Sequence, residues 1–166
     1  MNADAVAGNL VIEPGEHAPG ATLDAAKLLA RQTGGVLGVL EWDVEPGLLI
    51  PPHRHEYEDE IAYVVSGVIW WQLDDDVRRT VAGTSVWRPR GRWHGLWVEA
   101  DAEPARFYEV IVPGGWDTVI VDLVARVQSG EISPEQYNAE ALAHGVNFDV
   151  EWGLRLCEKY GVHLPA

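Results

Sequence analysis

The amino-acid sequence predicts an all-β sandwich or barrel followed by a helical tail of roughly fifty residues. Between residues 25 and 112, short apolar runs alternate with clusters of turn-forming residues. Pro113, Gly114 and Gly115 end this pattern, and helix-start signals follow. These observations divide the chain into a β-barrel with an N-terminal arm, residues 1–116, and a helical extension, residues 117–166, which is too short to fold alone and is expected to pack on the barrel.

The predicted strands follow the apolar runs in order. Turn signals such as EPG, DDD, PRGR and ADAEP separate the runs VLGVLEWDV, GLLI, IAYVVSGVIWWQL, TSVWRP, GLWV and RFYEVIV. Many short strands at such spacing are typical of sandwiches and barrels. Upstream, AAKLLARQ is helical by propensity. Residues 1–20 are expected to form an irregular arm with one short strand over residues 10–13.

Two helix starts stand out in the tail. Ser133, Pro134 and Gln136 form an N-cap, an N1 proline and the N3 residue of a capping box. Asp149 is a second start, from which VEWGLRLCEKY continues at helical spacing to Gly161, a suitable C-cap. The run TVIVDLVARVQ between the barrel and these starts has mixed character.

Composition and charge exclude several classes of function. The 166 residues suit one domain, and no stretch is apolar for long enough to cross a membrane. A formal net charge of -14 argues against nucleic acid and anionic membrane surfaces as partners. The start of the chain lacks a secretory pattern, and the single Cys157 cannot form an internal disulfide, so we expect a cytoplasmic protein.

The segment PPHRHEYEDE, residues 51–60, contains three candidate metal ligands. Alternate residues of a strand share a face, so His53 and His55 point the same way. Glu60 has the wrong parity for one unbroken strand. A turn at Tyr57, Glu58 and Asp59 corrects this, lets IAYVVS return beside the histidine strand and brings Glu60 to the same ion. Glu58 or Asp59 could supply the carboxylate instead of Glu60, but a solvated turn is the favoured prediction for both.

A second segment, GTSVWRPRGRWHGLWV, supplies a third histidine. Pro89 and Gly91 predict a tight turn between two short strands, which places His94 beside the first group. Three neutral imidazoles and one carboxylate form a mixed nitrogen and oxygen site. Such a site suits Fe, Mn, Ni, Cu or Zn better than Mg or Ca.

The first of these segments resembles the first motif of the cupin superfamily of small β-barrels. That motif is a glycine, five residues, H-x-H, three or four residues, a glutamate, six residues and a glycine. Here the corresponding residues are Gly47, His53, His55, Glu60 and Gly67.

The second segment resembles the second cupin motif, which is a glycine, five residues, P-x-G, two residues, a histidine, three residues and an asparagine. Gly83, Pro89, Gly91 and His94 stand at these positions, and Val98 replaces the asparagine, which is not a metal ligand in the family. The resemblance covers about residues 36–115. The tail is similar to that of one-barrel cupins of the quercetinase-like dioxygenase type.

The resemblance implies a double-stranded β-helix barrel of the jelly-roll type. In it, His53, His55, Glu60 and His94 hold one divalent transition metal, with Fe, Mn or Ni favoured and Zn or Cu open. Barrels of this superfamily pair through sheet faces or an exchanged N-terminal strand, so the resemblance also implies a homodimer. The implied substrate is a small flavonol or related polyphenol.

Several further residues surround the predicted ligands. Trp42, Trp71 and Tyr108 are candidates to line a substrate pocket, although core packing explains each equally well. Trp70 and Trp71 must face opposite sides of their sheet. Four arginines are expected to form surface salt bridges, and binding of an anionic substrate is the alternative role for them: Arg54, Arg88, Arg90 and Arg92. Three other histidines are expected at the surface: His17, His144 and His163.

Three functions compete. In the first, a hydroxylated aromatic or enol substrate binds at the metal, Glu60 takes its proton, and O₂ attacks the activated carbon. In the second, the same metal and base drive a non-redox isomerisation, cyclisation or decarboxylation without O₂ and tolerate Zn. In the third, the protein binds a small molecule without turnover. The complete ligand set and the candidate base favour an enzyme, and the dioxygenase is the first hypothesis.

Overall fold

A computed structural model describes residues 11–165 of the chain, which form two five-stranded antiparallel sheets and four helices. In chain order the elements are β1 (Ala26–Leu28), α1 (Ala30–Thr33), β2 (Gly38–Val44), β3 (Leu49–His55), β4 (Asp59–Ser66), β5 (Val68–Leu73), β6 (Asp76–Val81), β7 (Ser85–Arg88), β8 (His94–Trp97), β9 (Ala105–Val112), α2 (Trp116–Gln128), α3 (Pro134–Ala143), β10 (Val146–Phe148) and α4 (Val150–Tyr160).

The two sheets face each other across the interior. Sheet 1 has the strand order β1-β2-β9-β4-β7, and sheet 2 has the order β10-β3-β8-β5-β6. Burial alternates along β9, where Phe107, Glu109 and Ile111 point inward. This alternation follows from the period of two in a strand. The structure confirms an all-β barrel with a helical C-terminal tail.

The core lies between the sheets and continues beneath the helices. At one end Trp71, Phe107 and Val64 pack together from both sheets. At the other end the inner faces of β2 and β9 meet α2, so that Leu40 and Ile111 pack with Leu123. Outside sheet 2, a separate cluster of buried residues joins β3 and β8 to α4. The tail therefore packs on the barrel and contributes to its core.

The histidine strand β3 contains an irregularity at its two prolines. Its pairing with β8 shifts between Ile50 and His53, which indicates a β-bulge. Ile50 packs in the interior cluster, and His53 is buried three residues later. The bulge therefore allows the apolar start of β3 and its histidine end to face the same interior. Pro51 and Pro52 suit this place because neither has an N–H to donate.

Two local predictions before β2 need correction. The helix expected at AAKLLARQ is instead strand β1 followed by the short helix α1, because Ala26 pairs with Leu40 at the edge of sheet 1 and this pairing outweighs helix propensity. The strand expected over residues 10–13 begins outside the described residues, and residues 11–13 form no strand.

The helix starts predicted in the tail are confirmed. Ser133 Oγ accepts a hydrogen bond from the Gln136 N–H at 3.3 Å, and the Gln136 side chain accepts one from the Ser133 N–H at 2.8 Å. Asp149 caps α4 by accepting from the Trp152 N–H, and Gly161 ends it with φ at 67°. No helix within residues 11–165 has the length and apolar character needed to span a bilayer.

The tail also contains strand β10, which the sequence analysis missed. Its three residues pair antiparallel with the end of β3, where Val146 lies opposite His55 and Phe148 opposite His53. The tail is therefore part of sheet 2 and lies directly beside the histidine strand. Three residues are too short a run to carry a periodic signal.

Candidate metal centre

The four predicted ligands come together inside the barrel. His53 and His55 point inward from β3, and exposed Arg54 between them points outward. His94 lies directly opposite His53 on the neighbouring strand β8. Glu60 reaches the same place from β4 of sheet 1. One donor atom from each of the four side chains lies within 4.8 Å of the other three.

Glu60 approaches the histidines by a different route from the predicted one. The prediction that residues 61–66 return beside the histidine strand is wrong, because β4 pairs with β7 and β9 of sheet 1. The chain bends at Glu56 and Tyr57 and crosses to the other sheet. Glu60 therefore faces the histidines across the interior. Because Glu60 belongs to a separate strand, the alternation of side chains along β3 does not determine the direction in which it points.

The distances between the donor atoms are those of a compact cluster. Glu60 Oε1 lies 3.3 Å from His55 Nε2, and Glu60 Oε2 lies 3.0 Å from His94 Nε2. The ring centroids of His53 and His94 are 4.3 Å apart. His55, Glu60 and His94 are at most 2% exposed, whereas His53 is 9% exposed. The cluster is therefore screened from water and is most open beside His53.

Each imidazole has its Nδ1 atom close to an acceptor. His53 Nδ1 lies 2.9 Å from the Pro51 carbonyl oxygen, and His94 Nδ1 lies 3.3 Å from the Arg92 carbonyl oxygen. His55 Nδ1 lies 3.4 Å from Glu58 Oε2. The carbonyl partners of His53 and His94 favour a proton on Nδ1 and leave the Nε2 lone pair free, whereas His55 Nδ1 and Glu58 Oε2 form no hydrogen bond within the described residues. A proton on Nδ1 gives the tautomer that binds a metal through Nε2.

Buried atoms without a hydrogen-bond partner test whether the cluster suits a metal. Among the described residues, His55 Nε2, Glu60 Oε2 and His94 Nε2 are buried and form no hydrogen bond, although they lie close together. Unpaired buried polar atoms are unfavourable in a folded protein. A cation between these lone pairs would satisfy all of them. The cluster could therefore hold a metal ion, and its donor set fits a divalent transition metal.

A buried arginine, which the sequence analysis placed at the surface, adjoins the cluster. Arg88 is 3% exposed, and its Nη1 lies 3.2 Å from Glu60 Oε2. Its Nη2 donates a hydrogen bond to Glu109 Oε1, and Trp42 Nε1 donates one at 2.9 Å to Glu109 Oε2. The alternation of side-chain direction along β7 and β9 is the sequence signal that could have identified Arg88 and Glu109 as inward-facing.

Burial and neighbouring charges shift the pKa values of the three histidines. Burial lowers the pKa of His53 well below its usual value and lowers that of His94. Burial acts on His55 in the same direction, but the negative charges of Glu60 and Glu58 outweigh it and raise the His55 pKa. Two of the three imidazoles are therefore held in the neutral form that binds metals.

The two inward carboxyl groups have pKa shifts of opposite sign. Burial tends to raise the pKa of Glu60, but Arg88 and the nearby histidines outweigh it and hold the pKa well below its usual value. Burial, and then the charge of Glu60, raise the pKa of Glu109 despite its hydrogen bond from Arg88. Glu60 is thus kept ionised beside the histidines.

The three predicted substrate-binding residues occupy different environments. Trp71 is fully buried, and its Nε1 donates to Thr80 Oγ1, so it forms part of the core. Trp42 is partly buried, and its Nε1 donates a hydrogen bond to Glu109 beside the cluster. Tyr108 is 37% exposed and lies on the outer face of β9, so the structure does not bring it to the cluster.

Other aromatic residues contact the histidines directly, and sequence reasoning missed them. The Phe148 ring stacks on His53 at 4.7 Å between centroids, and Trp116 meets His55 edge-on at 5.7 Å. Tyr137 packs on Phe148 from α3. Phe148 and Tyr137 belong to the tail, and Trp116 is the first residue of α2 just before it, so the sequence connects none of the three to the histidine motif.

The remaining predictions for charged residues have mixed outcomes. Glu58 is buried against His55 rather than in a solvated turn. Asp59 forms an exposed ion pair with Arg90, and Arg92 pairs with Asp74, as expected for surface arginines. Arg54 lies over the Trp93 ring. The histidines expected at the surface, His17, His144 and His163, are exposed.

Comparison with known proteins gives the following similarities. KdgF from Halomonas sp. is 27% identical, and the match covers 50% of this chain and 75% of that one with a TM-score of 0.46. An uncharacterized conserved protein with a double-stranded β-helix domain from Klebsiella pneumoniae is 22% identical, with coverage of 69% and 90% and a TM-score of 0.49. A cupin protein from Bacteroides fragilis is 21% identical, with coverage of 48% and 68% and a TM-score of 0.44. No curated protein matches the chain.

A family model provides the assignment. The model described as the cupin domain matches residues 40–111, a range that contains all four clustered side chains. A possible metal-binding group within such a domain suggests an enzymatic activity. The facing antiparallel sheets and the match over residues 40–111 together identify a cupin domain within the chain.

Proposed function

We propose that the protein is a metal-dependent dioxygenase that acts on a small hydroxylated aromatic or enol compound, such as a flavonol or related polyphenol. The observation that carries this proposal is the buried cluster of three imidazoles and one carboxylate. His53, His55, His94 and Glu60 would hold a divalent transition metal, with Fe, Mn or Ni favoured. When bound, such a metal polarises a substrate oxygen and gives access to O₂ chemistry.

The direction of substrate approach follows from exposure. His53 is the most exposed of the four ligands, and Phe148 stacks against it. An aromatic ring entering beside Phe148 would be oriented by ring contacts before its hydroxyl reached the cluster. A second aromatic residue, Trp42, lies on the inner face of sheet 1 and packs against both interior core clusters. These aromatic side chains support an aromatic substrate in the proposal.

Glu60 is the proposed proton acceptor. Because its pKa is held low, its carboxylate is ionised at neutral pH and can accept a proton. A carboxylate with a low pKa is a weak base, so proton transfer to it is efficient only from a hydroxyl that is itself acidic. Phenols and enols meet this condition better than simple alcohols do. The contact between Arg88 and Glu60 therefore supports this substrate class.

The experiment that tests this function measures metal content and oxygen consumption together. Protein stripped of metal and reloaded with Fe, Mn or Ni is mixed with a panel of flavonols and other enols in an oxygen electrode. The proposal requires O₂ uptake matched to substrate loss, absent in His94→Leu and retained in His144→Leu, which changes an exposed histidine. Turnover that continues at the same rate without O₂ would refute a dioxygenase.

A non-redox reaction is the second candidate, and the donor set itself supports it. Three imidazoles and a carboxylate suit Zn²⁺ as well as the redox metals. With Zn²⁺ bound, the same ionised Glu60 could move a proton in an isomerisation, cyclisation or decarboxylation. Turnover by zinc-loaded protein under anaerobic conditions would favour this candidate. Binding of a metal and a small molecule without turnover would indicate a binding protein instead of an enzyme.

A further inference from the structure

A row of charged and polar side chains crosses the inner face of sheet 1 beside the metal centre. Arg88 on β7 lies directly opposite Glu60 in the β4–β7 pair. Glu109 on β9 lies opposite Ala62, two residues along β4 from Glu60. Because alternate residues share a face, these positions all point inward. The register of three neighbouring strands therefore assembles the row.

Successive contacts link the members of this row from Trp42 to Glu60 in the metal centre. Trp42 Nε1 donates to Glu109 Oε2, Glu109 Oε1 accepts from Arg88 Nη2, and Arg88 Nη1 lies 3.2 Å from Glu60 Oε2. The guanidinium also lies over the Trp71 ring, 5.2 Å from its centroid. Arg88 is thus held by two carboxylates and one aromatic face, and it has little freedom to move.

Stability alone does not account for such a row. Removing an arginine and two carboxylates from water is unfavourable, and apolar residues of similar volume often give equal or greater stability. All three charged groups are nevertheless buried, with Arg88 3%, Glu60 2% and Glu109 5% exposed. The row has one positive and two negative groups, so it places a net negative charge next to the three imidazoles.

We propose that Arg88 and Glu109 are positioning residues that fix the Glu60 carboxylate for metal binding, with Trp42 anchoring Glu109. The positive charge of Arg88 attracts Glu60 Oε2, which lies 3.2 Å from Nη1 and 3.0 Å from His94 Nε2, and so restricts the rotation of the carboxylate. Oε1 then remains directed toward His55. Glu109 offsets the charge of Arg88, so that a divalent cation enters a site that still has a net negative charge. This inference rests on the metal centre of the proposed function.

The test uses Co²⁺ as a spectroscopic probe and needs no substrate. Metal-stripped protein is titrated with Co²⁺ against a competing chelator, and the visible absorption bands report the coordination geometry. Arg88→Met should weaken Co²⁺ binding about 10- to 100-fold and change the band shape, as loss of a residue that orients a ligand does. Arg88→Lys retains the charge but not the two-armed contact, so affinity should recover in part while the bands stay altered.

Glu109→Gln tests the other end of the row. It keeps the shape of the side chain, removes its charge and leaves one of its two donors unmatched, so Co²⁺ affinity should again fall about 10-fold or more. Arg90→Met is the matched control, because Arg90 forms an exposed ion pair with Asp59. Its Co²⁺ affinity should stay within about twofold of the unmodified protein, as for a surface pair.

The outcomes separate this inference from the proposed function. If the unmodified protein binds no Co²⁺, Ni²⁺, Fe²⁺ or Zn²⁺, the metal centre itself is refuted. If it binds Co²⁺ and Arg88→Met and Glu109→Gln bind with unchanged affinity and bands, only the positioning role is refuted. Circular dichroism establishes that each variant is folded, and should Arg88→Met not fold, Arg88→Lys and Glu109→Gln decide.

Discussion

Replacing His94 with leucine should separate metal binding from folding stability. His94 is 2% exposed, and among the described residues its Nε2 has no hydrogen-bond partner while lying 3.0 Å from Glu60 Oε2. Its other nitrogen makes a long contact of 3.3 Å with the Arg92 carbonyl oxygen. Leucine has a similar volume and no polar atom. The substitution therefore removes a metal ligand without leaving a large cavity.

The expected magnitudes differ between the metal-free and metal-loaded states. In metal-free protein, removing an unsatisfied buried nitrogen gains about 1–3 kcal/mol, and losing the long contact costs about 0.5–1.5 kcal/mol. The net change in unfolding free energy should thus lie between a loss of about 0.5 kcal/mol and a gain of about 2.5 kcal/mol. A metal present at one hundred times its Kd stabilises the unmodified protein by about 2.7 kcal/mol, or about 5–10 °C in Tm. With affinity about 100-fold weaker, this gain falls to about 0.4 kcal/mol.

Thermal unfolding followed by circular dichroism, with chelator and with Ni²⁺ or Co²⁺, measures both effects. His94→Leu should unfold near the metal-free Tm in either condition, whereas His144→Leu should keep the full metal-dependent increase. An equal increase in His94→Leu would show that the ion binds elsewhere. A metal-free loss of about 3–5 kcal/mol, the range for truncating a large core side chain, would contradict the account of His94 as an unsatisfied buried group.

Three further predictions concern the rest of the molecule. The pKa values of His53 and His94 are lowered from 6.5 in the folded state, so the unfolded chain binds more protons below that pH. Urea unfolding of metal-free protein should therefore show stability falling below about pH 6.5. The raised pKa values of His55 and Glu109 should partly offset this loss, and Glu60 should add to it below its usual pKa of 4.5. Stability that rises on acidification would contradict these shifts. Gly38→Ala would place its Cβ in steric conflict with the side chain of fully buried Asp117, whose carboxylate accepts hydrogen bonds from the N–H groups of Ala30 and Gly115. We expect the unfolding free energy measured by chemical denaturation to fall by about 1–3 kcal/mol. An unchanged denaturation midpoint would show that Asp117 moves freely. We also propose a homodimer through the outer face of sheet 1, where Trp87, Tyr63, Ile61 and Tyr108 are 67%, 48%, 47% and 37% exposed. Analytical ultracentrifugation should give twice the monomer mass, and Trp87→Lys should shift the mass toward that of the monomer. A monomeric unmodified protein would refute the proposal.

Much of the fold could be predicted from local pattern. Short apolar runs between turn formers predict strands, and the residues before the tail helices match known caps, because both signals depend on neighbours close in sequence. AAKLLARQ shows the limit of this reasoning. Its propensity is helical, yet Ala26 pairs with Leu40 in sheet 1, a contact that no local pattern contains. Strand β10 was missed because its stability comes from pairing with β3.

The candidate ligands were identifiable from sequence because their spacing lies within two short segments. The parity of His53 and His55 and the turn before His94 depend only on backbone geometry. The path of Glu60 did not follow from these rules, since the choice between returning beside β3 and crossing to sheet 1 is made by strand pairing. Glu60 therefore lies in the same cluster as the histidines, as predicted, but reaches it by a different route.

The sequence by itself determined the residue types that can bind a metal and the strands that carry them. Tertiary structure alone decided what surrounds them. Arg88 and Glu109 are 21 residues apart in the chain and resemble surface charges, but the β4–β7 and β4–β9 registers turn both inward beside Glu60. Phe148 reaches His53 only because the tail adds a strand to sheet 2. Sheet pairing joins residues distant in sequence, and a local pattern contains no information about those partners.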